Sequence, residues 1–146
     1  MGVDVQTEIK IERPVDVVAR YAGDPTNAPE WYVNIQSVTW QTPPPLATGS
    51  RLEFVARFLG RRLAYTYEIV RLEPEALLVM RTAEGPFPME TTYTWAPLDD
   101  DRTLMTLRNR GVPSGFSSVA APLMARAMRR ANTQDLRRLK SLLESR

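Results

Sequence analysis

The sequence predicts an α+β fold, and three observations carry that prediction. Residues 3–11 and 51–72 alternate apolar and polar side chains with the period of two that marks half-buried strands. A glycine turn joins two of those runs so that their apolar members share a face. From about residue 117 to about 145 the apolar spacing lengthens to that of a long helix.

In the first strand Val3, Val5, Thr7, Ile9 and Ile11 alternate with Asp4, Gln6, Glu8, Lys10 and Glu12. Pro14 suits the first turn of a short helix carrying Val17, Val18 and Tyr21. Asp24-Pro25 caps and starts a second short helix through Asn27, Pro29 and Trp31. A strand follows at about Ile35–Gln41, and Pro43-Pro44-Pro45 ends it. In the next pair, Leu52, Phe54, Ala56 and Phe58 join Leu63, Tyr65, Tyr67 and Ile69 on one face. With Gly60-Arg61 as a two-residue loop, Leu59 pairs with Arg62, Ala56 with Tyr65, and Phe54 with Tyr67. A one-residue slip would scatter the set, so pattern and turn support each other. Leu78, Met80 and Thr82 are the next inward group, then Met89, Thr91, Tyr93 and Trp95. Asp99-Asp100-Asp101 is a hairpin tip.

The last strand, Thr103–Asn109, reads with Leu104 inward, which brings Thr106 and Arg108 with it. The alternative turns Met105 and Leu107 inward; facing out, those two would mark a dimer surface. Gly111–Gly115 is a loop, with Ser114 or Ser117 as the cap of the final helix. On that helix Phe116, Ala120, Leu123 and Ala127 form one stripe. Met128, Leu139, Leu142 and Leu143 form another, rotated by roughly 100°. A helix gripped by a curved sheet, or kinked near Pro122, would change stripe in this way.

The 146 residues suit one domain, 1–146, large enough to fold without disulfide or metal. There is no Cys and no His. Thiolate chemistry and His-dependent nucleophilic triads are therefore excluded, and no metal or cofactor is expected. No apolar run is long enough to span a membrane, and Met1-Gly2-Val3-Asp4 does not begin a signal peptide, so the expected location is cytoplasmic. The net charge of +2 conceals an uneven distribution. Residues 126–146 hold seven basic and two acidic side chains. A solvated helix face explains this; an anionic membrane or an acidic protein is the alternative. Nucleic acid is not expected, because no aromatic residue interleaves with the arginines.

The order of strand, two short helices, six strands and long helix resembles the START-like helix-grip superfamily, in its polyketide cyclase/dehydrase and lipid-transport branch. The residues that carry the resemblance are Pro14-Val15-Asp16-Val17-Val18, Asp24-Pro25-Thr26-Asn27-Ala28-Pro29-Glu30-Trp31 and Gly49-Ser50-Arg51-Leu52. Further on they are Leu72-Glu73-Pro74, Thr103-Leu104 and Leu136 through Glu144. The resemblance implies a seven-stranded antiparallel sheet wrapped around the C-terminal helix. A ligand cavity would lie between them, with its mouth near the short helices.

On that expectation the inward face becomes a cavity inventory. Its expected ligand contacts are Trp31, Phe54, Phe58, Tyr65, Tyr67, Leu78, Met80, Thr91, Tyr93, Trp95, Thr106, Arg108, Leu123 and Ala127. This is an apolar lining with a few hydroxyls, the usual make-up of a small-molecule site. Trp31 and Tyr32 lie where the resemblance places the mouth and would gate it, or Trp31 packs the short helices onto the sheet. Glu53, Glu68 and Glu90 sit on the outward parity, so no strand carboxylate enters. The first functional expectation is a binder or carrier of a small hydrophobic molecule: a lipid, quinone or polyketide. The second is a cyclase or aromatase, with Tyr65, Tyr67, Tyr93 and Arg108 as candidate catalytic groups. The third is an interaction module using the basic helix. A monomer and a homodimer both fit.

Overall fold

The alternating segments form seven strands: β1 Val3–Ile11, β2 Ile35–Trp40, β3 Arg51–Phe58, β4 Arg61–Glu73, β5 Leu77–Glu84, β6 Met89–Asp99 and β7 Arg102–Gly111. Helices α1 Val15–Ala22 and α2 Ala28–Trp31 follow β1, with a 3₁₀ turn at Pro25–Asn27 between them, and α3 is Ala121–Glu144. The computed structural model describes residues 2–112 and 121–146. The expected caps Ser114 and Ser117, with Phe116 and Ala120, lie outside the described residues. Asp24 caps as expected, its carboxylate accepting from the Thr26 N–H at 3.0 Å.

All seven strands pair antiparallel in the order β1-β7-β6-β5-β4-β3-β2, and the sheet curls about α3. This is the helix-grip arrangement that the resemblance implied. The C-terminal end of α3 is tied back to β1 and the residues after it. Glu144 accepts from the Glu12 N–H at 2.8 Å, and the Leu143 carbonyl accepts from Arg13 Nε at 2.8 Å.

The β3–β4 turn differs from expectation by one step. Its loop residues are Leu59 and Gly60, with φ of 51° and 78°. Positive φ at both positions is the type I′ pattern, which matches the twist of the flanking strands. Phe54 therefore pairs with Tyr65, and Leu52 with Tyr67. The register moves by two residues, so every side chain keeps its expected face.

The last strand has the opposite parity from the one expected. A regular hairpin continued from Asp99↔Arg102 would set Tyr93 opposite Arg108 and Trp95 opposite Thr106. A bulge between Pro97 and Asp99 removes one residue from the register. Trp95 then pairs with Met105, Tyr93 with Leu107, and Thr91 with Asn109. One extra residue flips every following side chain. Met105, Leu107 and Asn109 face inward, so Met105 and Leu107 offer no dimer surface, and Thr106 and Arg108 face out.

Of the two stripes expected on α3, the second, with Met128, Leu139, Leu142 and Leu143, is the one on the sheet side. Met124, Asn132, Asp135, Leu136, Leu139 and Leu143 are buried together, on an arc of roughly 120° at helical spacing. Leu136, Leu139 and Leu143 close on the main core of Ile11, Leu52, Ile69 and Met105. Met124 belongs to a second cluster with Val3, Val5, Leu63 and Phe87.

Candidate functional site

Between the concave face of the sheet and the first half of α3 lies a cavity of about 130 Å³. That is smaller than the roughly 300–1,000 Å³ of drug-sized pockets and close to the roughly 150 Å³ that holds one benzene-sized ring. Its walls draw on both hydrophobic clusters, with Phe54, Met80, Met89, Met124 and Met128 as the apolar lining. Thioether side chains can adapt to irregular shapes, so this lining is a compliant one.

Of the residues expected at the site, Phe54, Phe58, Tyr65, Tyr67, Met80, Thr91 and Tyr93 do line the cavity. Leu78 and Trp95 face the same way but are built into the core. Trp31 is fully buried, its ring 4.2 Å from that of Tyr32 and 5.7 Å from that of Tyr93. It packs the short helices onto the sheet, and its neighbour Tyr32 is the residue that reaches the cavity. Leu123 is 60% exposed, and Ala127 faces an outer groove beside it. Both lie off the buried arc of α3, the wrong side of the helix for the cavity.

Thr106 and Arg108 are corrected with the parity of β7. Arg108 grips Asp4 of β1 through two hydrogen bonds of 2.9 and 2.5 Å on the outer face. Arg108→Ala is therefore expected to leave ligand binding unchanged in a calorimetric titration. A loss of affinity would return Arg108 to the site.

Glu53, Glu68 and Glu90 do stay outside. Glu53 is exposed. Glu68 pairs with Arg51 at 2.9 Å, and Glu90 pairs with Arg81 at 2.8 Å. Yet one carboxylate does enter, from the helix. Asp135 is only 2% exposed and lines the cavity. Its Oδ1 accepts from the Val33 N–H at 2.9 Å. Its second oxygen has no hydrogen-bond partner among the described residues. Burial raises the Asp135 carboxyl from 3.8 to about 7, against the lowering effects of the Val33 N–H and Arg138.

A directed chain of hydrogen bonds runs from β4 through β6 and β7 to α3. Thr91 Oγ1 donates to Asn109 Oδ1 at 2.6 Å, which uses its only proton. The Tyr67 hydroxyl, 2.8 Å away, must therefore donate to Thr91. Asn109 Nδ2 donates in turn to Asn132 Oδ1 at 3.1 Å. The chain ends at Asn132 Nδ2, on a side chain 5% exposed, with no partner among the described residues. Tyr32 and Tyr93 pair through their hydroxyls at 2.6 Å, while the Tyr65 hydroxyl makes no hydrogen bond among the described residues. Burial lifts Tyr67 to about 12 and also raises Tyr32, Tyr65 and Tyr93, so these phenols are neutral hydrogen-bonding groups.

Tyr32, expected at the mouth, lines the cavity, and Asn109, Asn132 and Asp135 join the site beyond the sequence expectation. A signal for two of them was present. Asn132 and Asp135 are spaced i, i+3 inside the arc that Met124 and Leu136 bound, where polar residues interrupt an otherwise apolar stripe.

The sequence matches the family described as polyketide cyclase / dehydrase and lipid transport over residues 2–144. No curated protein matches it. Similar solved structures include a START superfamily protein from Mycobacterium smegmatis, 14% identical over 97% of both chains with a TM-score of 0.83. The Zhui aromatase/cyclase from a Streptomyces species is 17% identical over 99% of this chain and 94% of its own, with a TM-score of 0.79. The major latex-like protein 151 of Panax ginseng is 16% identical over 96% of each chain, with a TM-score of 0.74. At these identities the likeness is one of fold.

Proposed function

The chain belongs to the polyketide cyclase/dehydrase and lipid transport family, and from that premise we propose that it binds or carries a small hydrophobic molecule, lipid, quinone or polyketide-like, by seating an apolar portion among the cavity methionines and Phe54 and an acceptor atom against Asn132. The observation that carries this reading is the unpartnered Asn132 Nδ2. A buried donor without a partner costs about 1–3 kcal/mol, and a ligand carbonyl or hydroxyl oxygen would relieve it. The rest of the lining is apolar, so one fixed hydrogen bond would orient the ligand.

Acetophenone and ethylbenzene form a suitable pair of probes, alike in shape except for one carbonyl. Calorimetry should show the ketone bound about tenfold more tightly, the value of one buried hydrogen bond. Asn132→Leu should erase the difference. No saturable binding of either probe, or a preference that survives the substitution, would defeat the reading.

A second reading is favoured by Asp135. A carboxyl near 7 and shielded from bulk water suits proton transfer at neutral pH. In a cyclisation or dehydration it would take a proton from an activated carbon and return one to oxygen, with the neutral tyrosines as donors.

A further inference from the structure

A second feature adjoins the cavity on the outer side of α3. A surface groove joins the tip of the β3–β4 hairpin to the helix, lined by Leu59, Leu123, Arg126, Ala127 and Arg130. Asn34, Phe58 and Ala131 line both this groove and the cavity, so the two are neighbours. Leu59 is 48% exposed and Leu123 is 60% exposed. Arg126, Arg129, Arg130 and Arg137 continue the surface along the helix, and no carboxylate lines it among the described residues. The one acid of that stretch, Asp135, is turned into the cavity.

The arginines are arranged against their own repulsion. Arg126 lies at i−3 and i−4 from Arg129 and Arg130, spacings at which like charges destabilise a helix. At the base of the hairpin tip, Arg57 and Arg62 stand directly opposite each other across the strands. Like charges in that relation also destabilise. None of the four helix arginines, nor Arg57 or Arg62, has a salt bridge among the described residues. An anionic partner would relieve all of these repulsions together.

We propose that this face docks on an anionic lipid bilayer, with Leu59 and Leu123 entering the headgroup boundary and the arginines meeting lipid phosphates. Exposed leucines within a basic surface are the make-up of an interfacial membrane contact. A nucleic-acid site would instead present exposed aromatic rings for base stacking, whereas the one aromatic among the described lining residues, Phe58, is half-buried and shared with the cavity. The contact would bring the bilayer beside the cavity wall formed by Asn34, Phe58 and Ala131.

The test is co-sedimentation of the full chain with vesicles of phosphatidylcholine alone or mixed with phosphatidylglycerol. Binding is expected only to the mixed vesicles. It should be lost as salt rises from about 0.1 M to about 1 M and the screening length falls from about 10 Å to about 3 Å. The pair Arg126→Gln and Arg130→Gln should weaken partitioning about 30-fold, while Arg20→Gln on α1 should not. Leu59→Ser with Leu123→Ser should weaken it without altering the salt dependence. Circular dichroism melting should show each variant folded. The proposal is overturned if the mixed vesicles do not bind at the lower salt, if the helix pair behaves like Arg20→Gln, or if soluble polyglutamate binds as tightly as the vesicles.

Discussion

Asp135→Asn should be more stable than the parent protein at pH 8, by roughly 2–4 kcal/mol, although it alters a buried hydrogen-bonded residue. The folded-state carboxyl sits near 7 and its ordinary value is 3.8. Between those two values the folded protein holds a proton that the unfolded chain has released. Stability from this group is therefore greatest at low pH, falls as pH rises from about 4 to about 7, and is level above that. Raising the carboxyl from 3.8 to about 7 corresponds to roughly 4 kcal/mol between the two ends of that window. Asparagine fills the same space and its amide oxygen can still accept from the Val33 N–H, without a charge to bury. The gain should appear as a rise in melting temperature of about 10 °C at pH 8, shrinking toward zero near pH 4. Carboxylates held low by their partners, such as Asp4 with Arg108 and Glu144 with Lys140, act in the opposite sense, losing their contribution only as pH falls through values below the usual carboxylate range. They leave the window from about pH 5 to about pH 8 to Asp135. Parallel stability curves for the two proteins across that window would refute the assignment. A group that weakens the fold at neutral pH is the kind that function retains. The same variant should abolish any turnover of a poly-β-ketone if the proton-transfer reading holds, while still binding acetophenone.

Trp31→Ala should lower stability by about 3–5 kcal/mol, the usual range for truncating a buried aromatic. Trp31 has no exposed surface and packs on Tyr32 and Tyr93. Its loss would leave a void where α2 meets the sheet. Tyr32, which follows it directly and pairs with Tyr93, would lose its support, so probe affinity should fall as well. The indole nitrogen makes no hydrogen bond among the described residues. Trp31→Phe should therefore recover most of the stability, because packing is the whole of the interaction. Urea unfolding of the two variants separates the cases. A Trp31→Ala protein of unchanged stability with faster ligand entry would instead make Trp31 a gate.

Much of this architecture was legible in the sequence because strand faces follow a strict period of two. Phe54, Tyr65, Tyr67, Met80, Thr91 and Tyr93 could be assigned to one face, and the β3–β4 turn could be misjudged without harm, since its error was two residues. The β6–β7 error was one residue. Local pattern does not reveal a bulge when both parities carry apolar side chains, as Leu104 and Thr106 or Met105 and Leu107 do. That single step exchanged Arg108 for Asn109 at the cavity.

The sequence by itself determined the α+β class, the inward hydroxyls of β4 and β6, the exclusion of the strand glutamates, and the absence of thiol and imidazole chemistry. Those follow from composition and from a periodicity that each strand enforces alone. Only the tertiary structure decided which face of α3 meets the sheet. The helix buries Asn132 and Asp135 because a cavity with polar partners receives them: Asn109 for one and the Val33 N–H for the other. Both partners come from segments distant in the chain, and no local pattern of hydropathy records them. The polar end of the site, and the carboxyl pushed to about 7 within it, exist only once sheet and helix have closed on each other.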